Sequence, residues 1–206
     1  IGQPSIGDGA TTWRDNCRMQ YRNCIFMDCG EKVIRFDDDD GDGALGYSGD
    51  LSGSRTTAAD GTLSWVEHWN TSYDFSHDHD HPKQVNAAGS DAEMQALYQS
   101  QVDGNLCEIK DSVFYSNLNA AAYTEAETAE LDIFAAANNN VKEPANMPIV
   151  SITRGSPVST TDGTVIPVIG LDPRAANDAA TSAGTAPADG FFTPAPYRGA
   201  FSPDVN

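Results

Sequence analysis

Short runs of alternating apolar and polar residues, broken by glycine and small polar residues, recur along this chain and predict strands more often than helices. The most informative run is Asn23-Cys24-Ile25-Phe26-Met27-Asp28-Cys29, because a near copy returns as Asp111-Ser112-Val113-Phe114-Tyr115-Ser116-Asn117. Both copies read small polar, small, β-branched, Phe, any residue, small polar, Cys or Asn. In an extended chain alternate side chains face opposite sides. Cys24/Ser112, Phe26/Phe114 and Asp28/Ser116 therefore share one face and Ile25/Val113 the other. A short strand ending in a polar turn, repeated, predicts a β-solenoid; the alternative is two unrelated strands of an ordinary all-β fold.

The text around the copies also corresponds. Val33 to Phe36 follows the first copy after the turn at Cys29-Gly30; Leu106 to Ile109 precedes the second, and Ala120 to Tyr123 follows it. The copies begin 88 residues apart (111 − 23), whereas solenoid coils are roughly 20 to 30 residues long. Four regions follow: a leading loop and first coil or coils over 1–36, an insertion over 37–105, further coils over 106–171, and a surface loop with an aromatic closing segment over 172–206. Inside the insertion, Ser90-Asp91-Ala92-Glu93 is a capping box. Met94, Leu97 and Tyr98 stand at helical spacing after it, predicting a short helix from about Asp91 to Gln101. Thr124 to Ala137 reads as a second short helix, broken by Asn138-Asn139-Asn140. Met147 to Thr153 and Thr164 to Leu171 read as two buried strands. The aromatics from Phe191 to Phe201 are expected to cap an open end of the core.

Charge narrows the function classes. Thirty acids against 12 bases give a net charge of −18, which opposes binding to nucleic acid or to an anionic membrane, since both require positive surface. No run reaches the length of a membrane helix and none resembles a signal peptide. Ile1 in place of Met marks a processed or truncated start. Three of the four cysteines, Cys17, Cys24 and Cys29, fall within thirteen residues, with Cys107 far away. One local disulfide is compatible with this spacing; so are small buried thiols inside the strands, which is the reading favoured here.

The acids concentrate in the insertion, whose only bases are Arg55 and Lys83. Asp38, Asp40 and Asp42 followed by Gly43 match the first half of an Asp-x-Asp-x-Asp-Gly calcium loop, in which alternate carboxylates converge on one hard cation. Gly49 stands where an EF-hand has its bidentate Glu, so the loop is not an EF-hand, but Asp50 one residue later can close a Ca2+ site. The alternative is a solvated acidic loop. His77, His79 and His81, with His68 upstream, present imidazoles at alternate positions that suit a transition metal; the bland alternative, an exposed polar loop ended by Pro82, is favoured. Trp65, His68, Trp69, Tyr73 and Phe75 form either a sugar-binding platform or, as favoured here, the core of the insertion. Glu67 and Glu108 are nominal acid and base candidates, without a motif around them.

The closing text, Leu171-Asp172-Pro173-Arg174, Phe191-Phe192 and Tyr197-Arg198-Gly199-Ala200-Phe201, resembles the closing segment of secreted bacterial right-handed parallel β-helix proteins, the pectin-lyase-like group. The Ser-Val-Phe-x-x-Asn line resembles one of their coils. The resemblance covers residues 13–36 and 106–201 and leaves the insertion outside. It implies a right-handed parallel β-helix carrying a loop-rich insertion with one short helix, exported by a bacterium and resident outside the cell or on its surface. In that group the closing segment often continues into Trp-containing sequence, which implies a polypeptide longer than 206 residues. Galacturonan hydrolases of this fold carry Gly-His-Gly and Arg-x-Lys; neither occurs here. Arg35 is the one base beside the acidic loop that a calcium-dependent lyase would need. The expectation is a non-catalytic structural, adhesive or assembly protein stabilised by Ca2+, with a protein partner or self-association. The alternative is a β-helix protein that binds or degrades polysaccharide.

Overall fold

The computed structural model describes residues 9–14, 19–30, 32–37, 69, 104–105, 107–116, 120–124, 126–161, 163–185 and 193–204. Their strands are β1 (Thr11–Arg14), β2 (Gln20–Arg22), β3 (Ile25–Met27), β4 (Ile34–Asp37), β5 (Glu108–Lys110), β6 (Val113–Tyr115), β7 (Val141–Lys142), β8 (Ile149–Arg154), β9 (Val158–Thr160), β10 (Gly163–Val165) and β11 (Val168–Ala175). The α-helices among them are α1 (Ala126–Glu130) and α2 (Asn177–Thr181).

The two copies of the repeat lie side by side. β3 and β6 pair in parallel with Ile25 opposite Val113, Phe26 opposite Phe114 and Met27 opposite Tyr115, so each residue of one copy meets its equivalent in the other. A third strand, β7, continues the sheet with Val141 beside Val113 and Lys142 beside Phe114. Its flanks, Asn139 and Glu143, adopt positive φ, as do Asn23 and Asp28 around β3 and Asp111 and Ser116 around β6. Four of those six are Asn or Asp, residues that enter the left-handed region at low cost. Asn139-Asn140-Val141-Lys142-Glu143 is thus a third, shorter copy. Sequence reading passed over it as a helix breaker because Lys142 replaces the Phe and one residue is missing.

Stacked equivalents satisfy one another. The Cys24 N–H donates to Ser112 Oγ at 3.1 Å, and the Ser112 N–H donates to Asn140 Oδ1 at 2.9 Å. Asn140 Nδ2 then reaches the carbonyls of Ile109 and Ile133 at 2.7 and 2.8 Å. Phe26 and Phe114 stack with ring centroids 4.8 Å apart and planes 16° from parallel. From there aromatic contacts run through Tyr21 and Trp13 to Trp69 on one side, and through Phe134 to Tyr123 on the other. Val33, Ile34, Cys107, Ile109, Leu131 and Ile133 complete this core.

The expected right-handed parallel β-helix is overturned. The described strands form five small separate sheets of two or three strands, none closed or solenoid-like, in the orders β1-β4, β2-β5, β3-β6-β7, β10-β9 and β11-β8. The last two are antiparallel. Among the described residues no parallel ladder runs past three strands, and past Pro148 the chain folds back on itself as a ribbon, which a coil of a solenoid does not do. The ribbon also corrects the expectation of buried strands. Residues 150, 151 and 153 of β8 and all of β9 are exposed, because alternating Val and Ile specifies extension but not what covers it. The predicted helix over 124–137 is shortened to α1 plus a 3-10 turn at Ala136–Asn138, and Ala120–Tyr123 is 3-10 rather than strand. The loop expected from residue 172 contains the end of β11 and all of α2.

Phe191 and Phe192 of the closing segment lie outside the described residues; its described part docks through Arg198. Phe201 is exposed, whereas Arg198 is buried. Its guanidinium donates to the carbonyls of Asp111, Ala179 and Asn139, while the backbone N–H of Arg198 and of Gly199 reach Ala180 and Asn23. Burial pulls the Arg198 guanidinium below its ordinary pKa, and the nearby Asp111 carboxylate opposes that shift.

Candidate functional site

The sequence-nominated metal residues Asp38, Asp40, Asp42, Asp50, His77, His79 and His81 lie outside the described residues, as do His68, Trp65, Tyr73, Phe75 and Glu67. Arg35 is exposed on β4. Trp69 is buried and its ring stands 5.4 Å from that of Trp13, a core position rather than a sugar platform. Cys24 and Cys29 are free thiols, and Cys107 is buried in the core. Burial pushes the Cys24 and Cys29 thiols above their ordinary value, which keeps them protonated and poorly nucleophilic at neutral pH.

Glu108, the nominal acid or base, is 1% exposed. It sits on β5, in parallel register with β2, so that Gln20, Tyr21 and Arg22 face Glu108, Ile109 and Lys110. Arg22 closes on its Oε1 as an ion pair, Lys110 Nζ lies 3.2 Å from Oε2, and the Asn105 N–H donates to Oε2 at 3.2 Å. Asn105 is itself held, its carbonyl by Gln20 Nε2 and its amide by the Trp69 carbonyl, both at 2.6 Å. Gly104 takes φ +102°, and a Cβ there would stand 2.5 Å from the Arg22 guanidinium and 2.7 Å from Glu108 Oε1. Only glycine fits. Carboxylate, guanidinium and ammonium thus engage one another in a closed space, and the cluster joins residues 104–105 and 69 to the repeat block.

A second buried ion pair joins that block to the ribbon. Asp28, at the positive-φ corner after β3, pairs with Arg154 at the end of β8, their side chains 8% and 16% exposed. Beyond this anchor the ribbon carries large aliphatic groups in solvent: Val150 is 46% exposed, Val158 53%, Val168 45%, Ile169 67% and Leu171 49%. An open hollow of about 330 Å³ lined by Pro144, Ala145, Asn146, Asn177, Asp178 and Ala179 lies at the base of the ribbon. It holds one carboxylate, and the Asn177 amide in it is already committed to the Met147 carbonyl.

Among the described residues no three His, Cys, Asp or Glu side chains converge as a metal site would require, and no helix is long and apolar enough to cross a membrane. Comparison with protein-family models, with curated proteins and with solved structures returns no match. The feature that sequence reading missed is the ribbon: its Val and Ile residues were visible, but their exposure was not.

Proposed function

We propose that this chain is a non-catalytic structural or assembly component of a bacterial surface or extracellular structure, which engages its partner through the β8–β11 ribbon. The observation that carries this reading is the row of exposed Val, Ile and Leu side chains on one antiparallel ribbon. Exposed aliphatic side chains gathered along one stretch of chain are the raw material of a contact site. The burial of Trp69 favours an assembly role over polysaccharide binding, since sugar recognition relies on exposed aromatic faces.

Ca2+ held by Asp38, Asp40, Asp42 and Asp50 belongs to the same reading, supported by their spacing. Thermal unfolding in EDTA and then in excess Ca2+ tests that part. A calcium-dependent rise in Tm, lost when Asp38, Asp40 and Asp42 become Asn, is expected; coincident curves remove calcium from the proposal.

The main test compares the chain with a Val158→Ser/Val165→Ser/Ile169→Ser variant. Two quantities are measured: retention of bacterial envelope proteins on the immobilised chain, and release of unsaturated or reducing sugar from polygalacturonate and neutral glucans. Retention should fall severalfold in the variant with no turnover in either protein. Sustained turnover that the ribbon substitutions leave untouched would replace this reading with the enzymatic one.

A further inference from the structure

The two edges of the ribbon are built differently. β11 shifts register between Val168 and Gly170 and again between Asp172 and Ala175. It contains Pro173, which has no N–H, and an Asp172–Arg174 ion pair with Nε 2.8 Å from Oδ1. Bulges, proline and charge are the devices that stop a strand edge from templating another strand. β8 has none of them between Ile149 and Thr153. It is Ile-Val-Ser-Ile-Thr-Arg without Gly, Pro or an extra residue, and among the described residues it pairs with β11 alone. In an antiparallel ribbon half of its N–H and C=O groups point away from the partner strand. The edge that natural sheets guard is therefore guarded on β11 and, among the described residues, open on β8.

We propose, building on the assembly reading above, that the outer edge of β8 pairs antiparallel with β8 of a second copy of this chain, about a two-fold axis at Ser151. Charge favours a copy over a foreign strand. From residue 149 to 171 the sequence contains only Arg154 and Asp162, whose charges cancel, within a chain of net charge −18; Arg154 is moreover committed to Asp28. Two copies approaching elsewhere bring like charge together, and at β8 they do not. A foreign partner recognised against this acidic background would call for complementary charge at the contact, and the edge offers none. The strand is also self-complementary. Antiparallel pairing centred on Ser151 sets Val150 across from Ile152 of the mate and Thr153 across from Ile149 of the mate, β-branched residues on both sides and a favourable cross-strand combination.

The asymmetry of the edges fixes the stoichiometry. With β8 consumed at the axis, the sheet so formed runs β11-β8-β8-β11 and ends on a guarded β11 strand at each side, so this pairing closes at a dimer and does not propagate as a fibre. A six-residue edge is small beside the roughly 1,200 Å² of a standard stable interface, so the dimer is expected to be reversible and concentration-dependent.

Light scattering after size exclusion and sedimentation equilibrium, from about 1 to about 200 µM, read this directly. The mass should rise from 21.9 kDa toward twice that value, and the Val150→Lys/Thr153→Lys variant should weaken dimerisation at least about tenfold. Ile169→Lys, on the guarded edge, should leave it unchanged. Because the double variant could fail to fold, hydrogen exchange on the unaltered chain supplies a second reading: amides of β8, but not of β11, should gain protection as concentration rises. A mass of one chain throughout, growth past the dimer, or protection confined to β11 would each overturn the inference. A monomeric chain that still retains envelope proteins would overturn the dimer alone, whereas loss of both would remove the assembly reading as well.

Discussion

The repeat block and the ribbon use the same residue types to opposite ends. In β3 and β6, Ile25, Phe26, Val113 and Phe114 meet their equivalents across a parallel sheet, and the two residues of the second copy are wholly buried. In β8 to β11, Val and Ile at the same alternating spacing stand about half in solvent. Burial in the block comes from other parts of the chain: Trp69, Leu131, Ile133 and Phe134 close over the Phe face, and Gly199 approaches Ile25 on the other. No such cover reaches the described ribbon, which is fixed by Ile149 at its base and by the Asp28–Arg154 pair. One region is enclosed, and the other stands in solvent.

Core substitution separates them most sharply. Phe114→Ala removes the ring stacked on Phe26 and edge-on to Phe134 and should cost about 3–5 kcal/mol in urea unfolding. A loss below about 1 kcal/mol would mean that the block does not carry the stability assigned to it.

Next in size is the buried charge. Glu108→Gln leaves Arg22 and Lys110 without their shared carboxylate and should destabilise by about 3 kcal/mol, since one half of a buried pair is costlier than none. Replacing Arg22 and Glu108 together by Met and Leu should recover much of that loss. If the single and double variants are equally unstable, the interaction is not pairwise.

On the ribbon, Val158→Ser with Val165→Ser, opposite one another at its tip, should change stability by no more than about 0.5 kcal/mol. Partner retention should nevertheless fall. A stability loss like that of Phe114→Ala would show that the tip is packed.

The smallest effect is one of pH. Cys24 and Cys29 are raised above the ordinary 9.0, chiefly by burial, so the unfolded thiols ionise first. Their contribution is fully present below pH 9.0 and declines as pH rises through 9.0 toward the higher folded values. Chemical denaturation between pH 7 and pH 10 should show that decline, reduced in the Cys24→Ser/Cys29→Ser chain. Stability that increases over this interval would contradict the direction of both shifts.

The parallel pairing of the two repeats was legible because Phe, the β-branched neighbour and the small polar corners recur in step. Stacking like on like satisfies both faces at once. The third copy was not legible, since Lys142 keeps its place in the ladder through backbone bonds and by lying over the rings of Tyr123 and Phe134. Arg198 was quoted only as part of a closing phrase. Its role depends on carbonyls contributed by two turns and a helix far apart in the chain, which no local pattern reveals. Glu108 was nominated for chemistry because a carboxylate in a strand carries no mark of its neighbours. Arg22, 86 residues earlier in the chain (108 − 22), decides what it does.

By itself the sequence determined the strand character of most segments, the side-chain columns of the repeat and the strongly acidic balance, because these depend on local sterics, periodicity and composition. Only the tertiary structure decided that the described strands form small separate sheets, that the ribbon returns antiparallel, and that β8 side chains stand in solvent while Arg198 is enclosed. Those outcomes depend on which distant segments arrive to cover a face or satisfy a donor, and a residue's own spacing does not encode its cover.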